Sequence, residues 1–144
     1  MLSPPEQNRI ATEQEQFWAG EFGDDYTDRN AVLPEQRRPF FCKVLNLTEG
    51  VQSICELGAN RGHNLLALQS VNPNLRLTGV ELNAKAFGVL ASHAGIEAVQ
   101  SSIQDFAPEG RFDCVMICGV LIHLNPEDLP AVYRKMARLA NRYV

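Results

Sequence analysis

The 144-residue sequence contains no apolar run approaching the roughly 18 to 20 residues that a membrane-spanning helix requires. Its opening segment, Met1 to Ile10, is polar, holds two prolines and lacks the apolar core of a secretory signal. These absences predict a soluble, cytoplasmic protein. Basic charge is also scarce: 13 Lys and Arg face 17 Asp and Glu, for a formal net charge of -4 and a pI near 5.3. The basic surface typical of nucleic-acid binders is therefore not expected, and a small or neutral partner is. Cysteine is sparse and forms no C-x-x-C pair. Cys42, Cys55, Cys114 and Cys118 fall in apolar surroundings and read as free, buried thiols. If Cys114 and Cys118 share a strand they lie roughly 13 Å apart along its rise, too far for one zinc ion. No metal site is expected, and no internal repeat or low-complexity tract competes with a globular reading.

What is present points to one domain, because 45% hydrophobic composition over this length supports one core and not two. Thr12 followed by Glu15 fits a capping box and predicts a short helix ending near Ala19-Gly20. Glu21 to Tyr26 reads as an acidic, aromatic turn. A second helix is predicted from Pro34 towards Leu47, with Phe40, Phe41, Val44 and Leu45 as its apolar side and a bend at Pro39. The charged stretch Glu35-Gln36-Arg37-Arg38 reads as a solvated helix face.

From Val51 onward the signals alternate between strand and helix. Strands are predicted over Val51 to Leu57, Leu75 to Leu82, Glu97 to Gln100 and Phe112 to Gly119. Helices are predicted over Asn64 to Ser70 and from an Asn83 cap through Ala91 and His93 to a stop at Gly95. A last helix is expected to use Asn125 as its cap, Pro126 as its first residue and Glu127 and Asp128 as dipole-complementing acids. Arg142-Tyr143-Val144 looks like the opening of a fifth strand. The alternation predicts an α/β, doubly wound, mostly parallel sheet with N-terminal helices, whose ligands sit at the carboxyl ends of the strands. Residues 1–50 read as a helical lid or extension and residues 51–144 as the sheet unit, together one structural domain.

Four loops then carry the chemistry. Glu56-Leu57-Gly58-Ala59-Asn60-Arg61-Gly62 follows the first strand, and its glycines permit a tight turn and a close approach of backbone to ligand. The dinucleotide pattern G-x-G-x-x-G fails, because Asn60 and His63 stand where it needs glycine. Glu81 closes the second strand, 23 residues beyond Gly58 (81 minus 58), where a ribose-binding carboxylate belongs in this class of sheet. The third loop is Ser101 to Phe106, and the fourth begins at Cys118-Gly119-Val120. His123, just after the fourth strand, is a candidate proton acceptor, since histidine ordinarily titrates near neutrality; a structural histidine bonded beneath the site is the competing reading. His63 and His93 read as ordinary helix residues. Trp18, Phe22 and Tyr26 form an aromatic cluster, either simple packing or a lid that excludes water.

These motifs, Glu56 to Gly62, Gly79-Val80-Glu81-Leu82-Asn83 and Gly119 to Leu124, resemble those of class I S-adenosylmethionine-dependent methyltransferases. With Thr12 to Trp18, Phe22 to Tyr26 and Arg29-Asn30, the chain more narrowly resembles the pseudaminic-acid-biosynthesis-associated methylases, over nearly its whole length. The resemblance implies S-adenosyl-L-methionine as cofactor, with Gly58, Asn60 and Gly62 along its methionine and ribose part and Glu56 behind the loop. It implies Glu81, beside Leu82, on the ribose, and Ser102 and Ile103 at the adenine, with Asp105 as an alternative adenine contact. Cys118 and Val120 would face the reactive methyl group.

Methylation of nucleic-acid bases is disfavoured, because the fourth loop lacks the acidic or amide residue, Pro-Pro and aromatic of such enzymes. A sugar or glycan-biosynthesis intermediate is the acceptor that the narrower resemblance suggests. A nicotinamide-dependent oxidoreductase or epimerase and a cofactor-binding module without turnover are the alternatives. Relatives of this kind continue into further strands, so the reading expects an incomplete sheet with its apolar fourth strand exposed at the edge, available for self-association.

Overall fold

The computed structural model describes Arg9 and residues 11–30 and 32–144. The expectation for Met1 to Ile10 therefore lies outside the described residues, save Arg9. Three helices precede the sheet: α1 (Glu13–Ala19), α2 (Glu21–Arg29) and α3 (Pro34–Leu47). The capping box forms as read, with the Thr12 hydroxyl accepting from the Glu15 amide at 3.2 Å and the Glu15 carboxylate accepting from the Thr12 amide at 2.6 Å.

Residues 21–26 are not a turn but the start of α2. Glu21 and Asp24 lie in its positive first turn and Arg29 in its last, which favours the helix at both ends. Gly23 serves close packing: a Cβ there would come within 1.8 Å of the Trp18 carbonyl oxygen. In α3 the helix continues through Pro39. Its buried residue is Phe41, with Val44 and Leu45 packed partly against the core, whereas Phe40 is 62% exposed and does not belong to the apolar side.

The sheet comprises β1 (Ser53–Leu57), β2 (Arg76–Glu81), β3 (Ile96–Gln100), β4 (Phe112–Ile117) and β5 (Ala140–Tyr143), in the order β3-β2-β1-β4-β5 and parallel throughout. The connecting helices are α4 (His63–Val71), α5 (Ala84–Ala91) and α6 (Leu129–Leu139). The central strand β1 is buried at all five positions, as expected of a parallel strand covered on both faces. Its side chains alternate: Ile54 joins one core with Phe41, Leu65, Leu68 and Leu90, whereas Cys55 and Leu57 join the other with Val115, Val132 and Met136. The chain runs outward through β2 and β3, then returns to the opposite side of β1 as β4. That reversal leaves a crevice at the carboxyl ends of β1 and β4.

Three expectations are corrected. β4 is not the sheet edge, because β5 pairs with it at Phe112↔Ala140 and Cys114↔Tyr143. The last helix starts at Leu129 with Pro130 in its first turn. Asn125 to Asp128 form a preceding turn closed by the Asp128 amide on the Asn125 carbonyl at 2.9 Å. Of the four free cysteines only Cys55 is buried; Cys118 lies beyond the end of β4 and is exposed. Among the described residues no helix is long and apolar enough to cross a membrane.

Candidate cofactor site

The crevice is a cavity of about 300 Å³. One wall is the turn after β1. There Gly58, Asn60 and Gly62 take left-handed backbone angles, with φ of 74°, 48° and 83°, a run that glycine and asparagine tolerate best. The Gly58 and Ala59 amides donate to the Val80 carbonyl at 2.8 and 2.9 Å, tying the turn to the end of β2. Gly58 also admits Val120, whose Cγ2 would be 2.6 Å from a Cβ at that position.

Glu81 faces this turn. Its Oε2 accepts from the Asn60 amide at 2.7 Å and its Oε1 from the Asn83 amide at 2.8 Å. Burial raises its pKa while these amide bonds pull the other way. Each oxygen keeps a lone pair, so the carboxylate can still accept from a ligand's hydroxyl groups. Asn83 caps α5 by accepting from the Ala86 amide at 2.9 Å, and its side-chain amide donates to the Trp18 carbonyl at 3.1 Å and to Asp24 at 2.8 Å. One residue thus orders the end of β2, the start of α5 and the seat of α1 and α2.

Deeper in the cavity Glu56 is 1% exposed. It accepts from the Asn64 side chain at 2.6 Å through Oε1, while Oε2 has no partner. Burial pushes its pKa up to about 8, against the pull of Asn64 and of the Arg37 charge. His63, also lining the cavity, is lowered from its ordinary value by burial and by the Arg61 and Arg37 charges.

α1 contributes Gln14, Glu15 and Trp18 to the cavity wall. Trp18 packs edge-on to Phe22 and Tyr26 at centroid distances of 5.2 and 5.3 Å and lies tilted against His123 at 4.6 Å. Gln14 and Asn125 exchange side-chain hydrogen bonds of 2.5 and 3.0 Å. At the other flank Arg9 binds Glu15, Asp105 and Ser102.

Of the residues singled out in the sequence, Glu56, Gly58, Asn60, Glu81, Leu82, Ser102, Ile103, Cys118, Val120, His123, Trp18 and Tyr26 all line this cavity. Three do not. Gly62 is the N-terminal boundary of α4, where a Cβ would come within 2.8 Å of Leu90. Asp105 turns outward to Arg9, which holds its carboxyl below the usual range. Phe22 is part-exposed on the outer side, stacked on Phe17 at 4.2 Å. The sequence reading missed Gln14, Arg37, His63 and Asn64, which are in the wall. Arg37 is not on a solvated face, since its Nη1 donates to Asn64 at 2.8 Å. His93 lies past the end of α5, its ring Nε2 2.9 Å from the Arg61 carbonyl.

A parallel sheet with its reversal between β1 and β4, and an acid and a glycine-bearing turn facing each other there, define a doubly wound α/β domain with a crevice at the strands' carboxyl ends. The chain belongs to the methyltransferase-domain family, which matches residues 54–142. No curated protein matches it in sequence. Among solved structures it is similar to the plantazolicin methyltransferase in complex with SAH, at 17% identity and TM-score 0.69 over 89% of this chain and 53% of that one. It is similar to a SAM-bound amino pentose methyltransferase of calicheamicin biosynthesis from Micromonospora echinaspora, at 14% identity and TM-score 0.65 over 83% and 51%. It also matches the magnesium protoporphyrin IX methyltransferase from Synechocystis PCC 6803 with bound SAM, at 15% identity and TM-score 0.68 over 93% and 75%. The chain spans about half the length of the first two. These likenesses establish a Rossmann-like methyltransferase fold.

Proposed function

We propose that this protein binds S-adenosylmethionine and transfers its methyl group to a small-molecule acceptor. The observation that carries the reading is the bond from the Asn60 amide to Glu81 in the cavity wall, because it joins an acceptor for ribose hydroxyls to a turn that admits close backbone approach. The partnerless Glu56 Oε2 in the same wall is a fitting acceptor for the cofactor's ammonium. When bound, the sulfonium supplies an electrophilic methyl group. The protein's part is then alignment and exclusion of water.

In this reading Glu81 holds the ribose beside Leu82, Gly58 and Asn60 border the ribose and methionine portions, and Ser102 and Ile103 flank the adenine. Cys118 and Val120 border the methyl-bearing side. Trp18 and Tyr26 shield that side from solvent. His123, against Trp18, accepts a proton where the acceptor must lose one.

The resemblance to pseudaminic-acid-associated methylases, with the fold likeness to an amino pentose methyltransferase, supports a sugar or glycan-biosynthesis intermediate as acceptor. The acidic net charge supports a partner other than nucleic acid, and four free cysteines suit the cytoplasm. The edge position of β5 in the sheet supports self-association through that strand.

Calorimetry tests the cofactor. Micromolar binding of S-adenosylhomocysteine and none of NAD is expected, and Glu81→Ala should weaken binding about 10- to 100-fold, or about 1.4–2.7 kcal/mol. Binding of NAD instead, or an unaffected Glu81→Ala variant, refutes the assignment. Transfer from labelled cofactor into cell extract tests turnover.

A further inference from the structure

Parallel strands are usually joined through a helix, yet residues 101–111, between β3 and β4, contain none, unlike the other crossovers of this sheet. A helix satisfies its own carbonyl groups, whereas a loop packed on the core must find other partners for them. Here the partner is a single side chain of α6. The Lys135 ammonium donates to the Ile103 carbonyl at 3.0 Å, to the Phe106 carbonyl at 2.9 Å and to the Gln104 carbonyl. Three carbonyls of one loop thus converge on one cation, in bonds that its charge strengthens. Val132 and Met136, on the same face of α6 as Lys135, pack in one core with Ile103 and Phe106. The face that buries the loop's side chains therefore also gathers its backbone.

We propose that Lys135 is a positioning residue for the adenine: from outside the cavity wall it fixes the loop that carries Ser102 and Ile103 into that wall. The inference rests on the cofactor assignment above. Without the ammonium the three carbonyls turn to water and the loop loosens, so a ligand must order it again on binding and loses affinity. The loop also anchors Arg9 through Ser102 and Asp105, which makes Lys135 the rear support of that fastening too. Methionine at 135 keeps the length and the apolar stem but cannot donate, and arginine keeps the charge and the donors.

The test combines calorimetry with S-adenosylhomocysteine and amide hydrogen exchange, both on the full chain at a temperature where each variant is folded. Lys135→Met should weaken S-adenosylhomocysteine binding about 10- to 100-fold. It should also speed exchange about 10-fold or more across residues 101–107 while changing the turn at 58–62 less than about twofold. Lys135→Arg should recover part of both losses. Unchanged affinity in Lys135→Met overturns the proposal, and so does equal acceleration in loop and turn, which marks a general loosening. If Lys135→Met does not fold, Lys135→Gln, whose amide still donates, decides on the same two readings: smaller losses of the same kind are expected, and wild-type affinity overturns the proposal. A wild type that binds no S-adenosylhomocysteine refutes the cofactor assignment and this inference with it, whereas a wild type and a Lys135→Met variant that bind it equally refute this inference alone.

Discussion

Replacing Glu56 with Gln should make the protein more stable at pH 8 and leave it nearly unchanged at pH 5. The carboxyl is 1% exposed and its pKa rises from 4.5 to about 8, chiefly through burial. A change of that size corresponds to roughly 4–5 kcal/mol in favour of the neutral acid. The folded state therefore keeps this proton between about pH 4.5 and 8 while the unfolded chain has lost it. Stability falls as pH rises through that window and levels off above it. Glutamine never ionises and carries no such cost.

The substitution keeps the bond from Asn64 to Oε1 and puts Nε2 where Oε2 already lacks a partner, so hydrogen bonding changes little. Other groups cancel in the comparison. His63, lowered from its ordinary value, adds stability as pH rises, in both proteins alike. Denaturant titrations from pH 5 to 8 should show a gap opening by up to about 1.4 kcal/mol per pH unit and reaching about 3 kcal/mol, roughly 10 °C in Tm. Parallel pH profiles for the two proteins would refute the argument, as would a gap that closes towards pH 8. The same variant should bind S-adenosylhomocysteine more weakly, and wild-type binding near pH 7 should release a proton, detectable as a dependence of the binding enthalpy on buffer.

Asn83→Ala should cost about 0.5–2 kcal/mol for the lost α5 cap, and more through its bonds to Trp18 and Asp24; chemical denaturation reads the sum, and a cost below that range would show the cap to be idle. Gly58→Ala combines a φ of 74° with a Cβ 2.6 Å from Val120, and should cost about 1–3 kcal/mol in the same assay; wild-type stability would show that the turn relaxes freely.

The sequence disclosed the sheet, the capping box, and both the glycine-bearing turn and the acid that meets it, because each is written in contiguous residues. A strand, a turn and a closing acid carry their own spacing. What stayed hidden depends on partners far along the chain. Asn125 before Pro126 has the form of a helix cap, yet its amide is spent on Gln14, 111 residues away. Asp105 shares the loop after β3 with Ser102 and Ile103, but Arg9, 96 residues distant, turns it outward. Arg37 lies in a charged run that would read the same on any solvated face. Only the packing of α3 on α4 brings it to Asn64. Gly23 signals a turn locally, whereas the close passage of Trp18 makes it a helix contact.

The placement of α1 against the cavity follows from the same long-range contacts. α1 is fastened on one flank by the reciprocal Gln14–Asn125 amide pair and on the other by Arg9 with Asp105 and Ser102, with Trp18 against His123 between them. With Trp18 shielding a bound ligand as proposed, release is expected to require one fastening to yield. Asn125→Ala removes both amide hydrogen bonds, each worth about 0.5–1.5 kcal/mol, and so should raise the population of the open form roughly 5- to 150-fold. Release of S-adenosylhomocysteine should quicken by up to that factor, with association little changed. Trp18, the sole tryptophan, reports the event by stopped-flow fluorescence. Gln14→Ala should act likewise, and the double variant should be no faster than either single one, because the two side chains form one latch. Additive effects would show that Gln14 and Asn125 act separately, and an unchanged release rate in all three would mean that the ligand leaves by a path that α1 does not close.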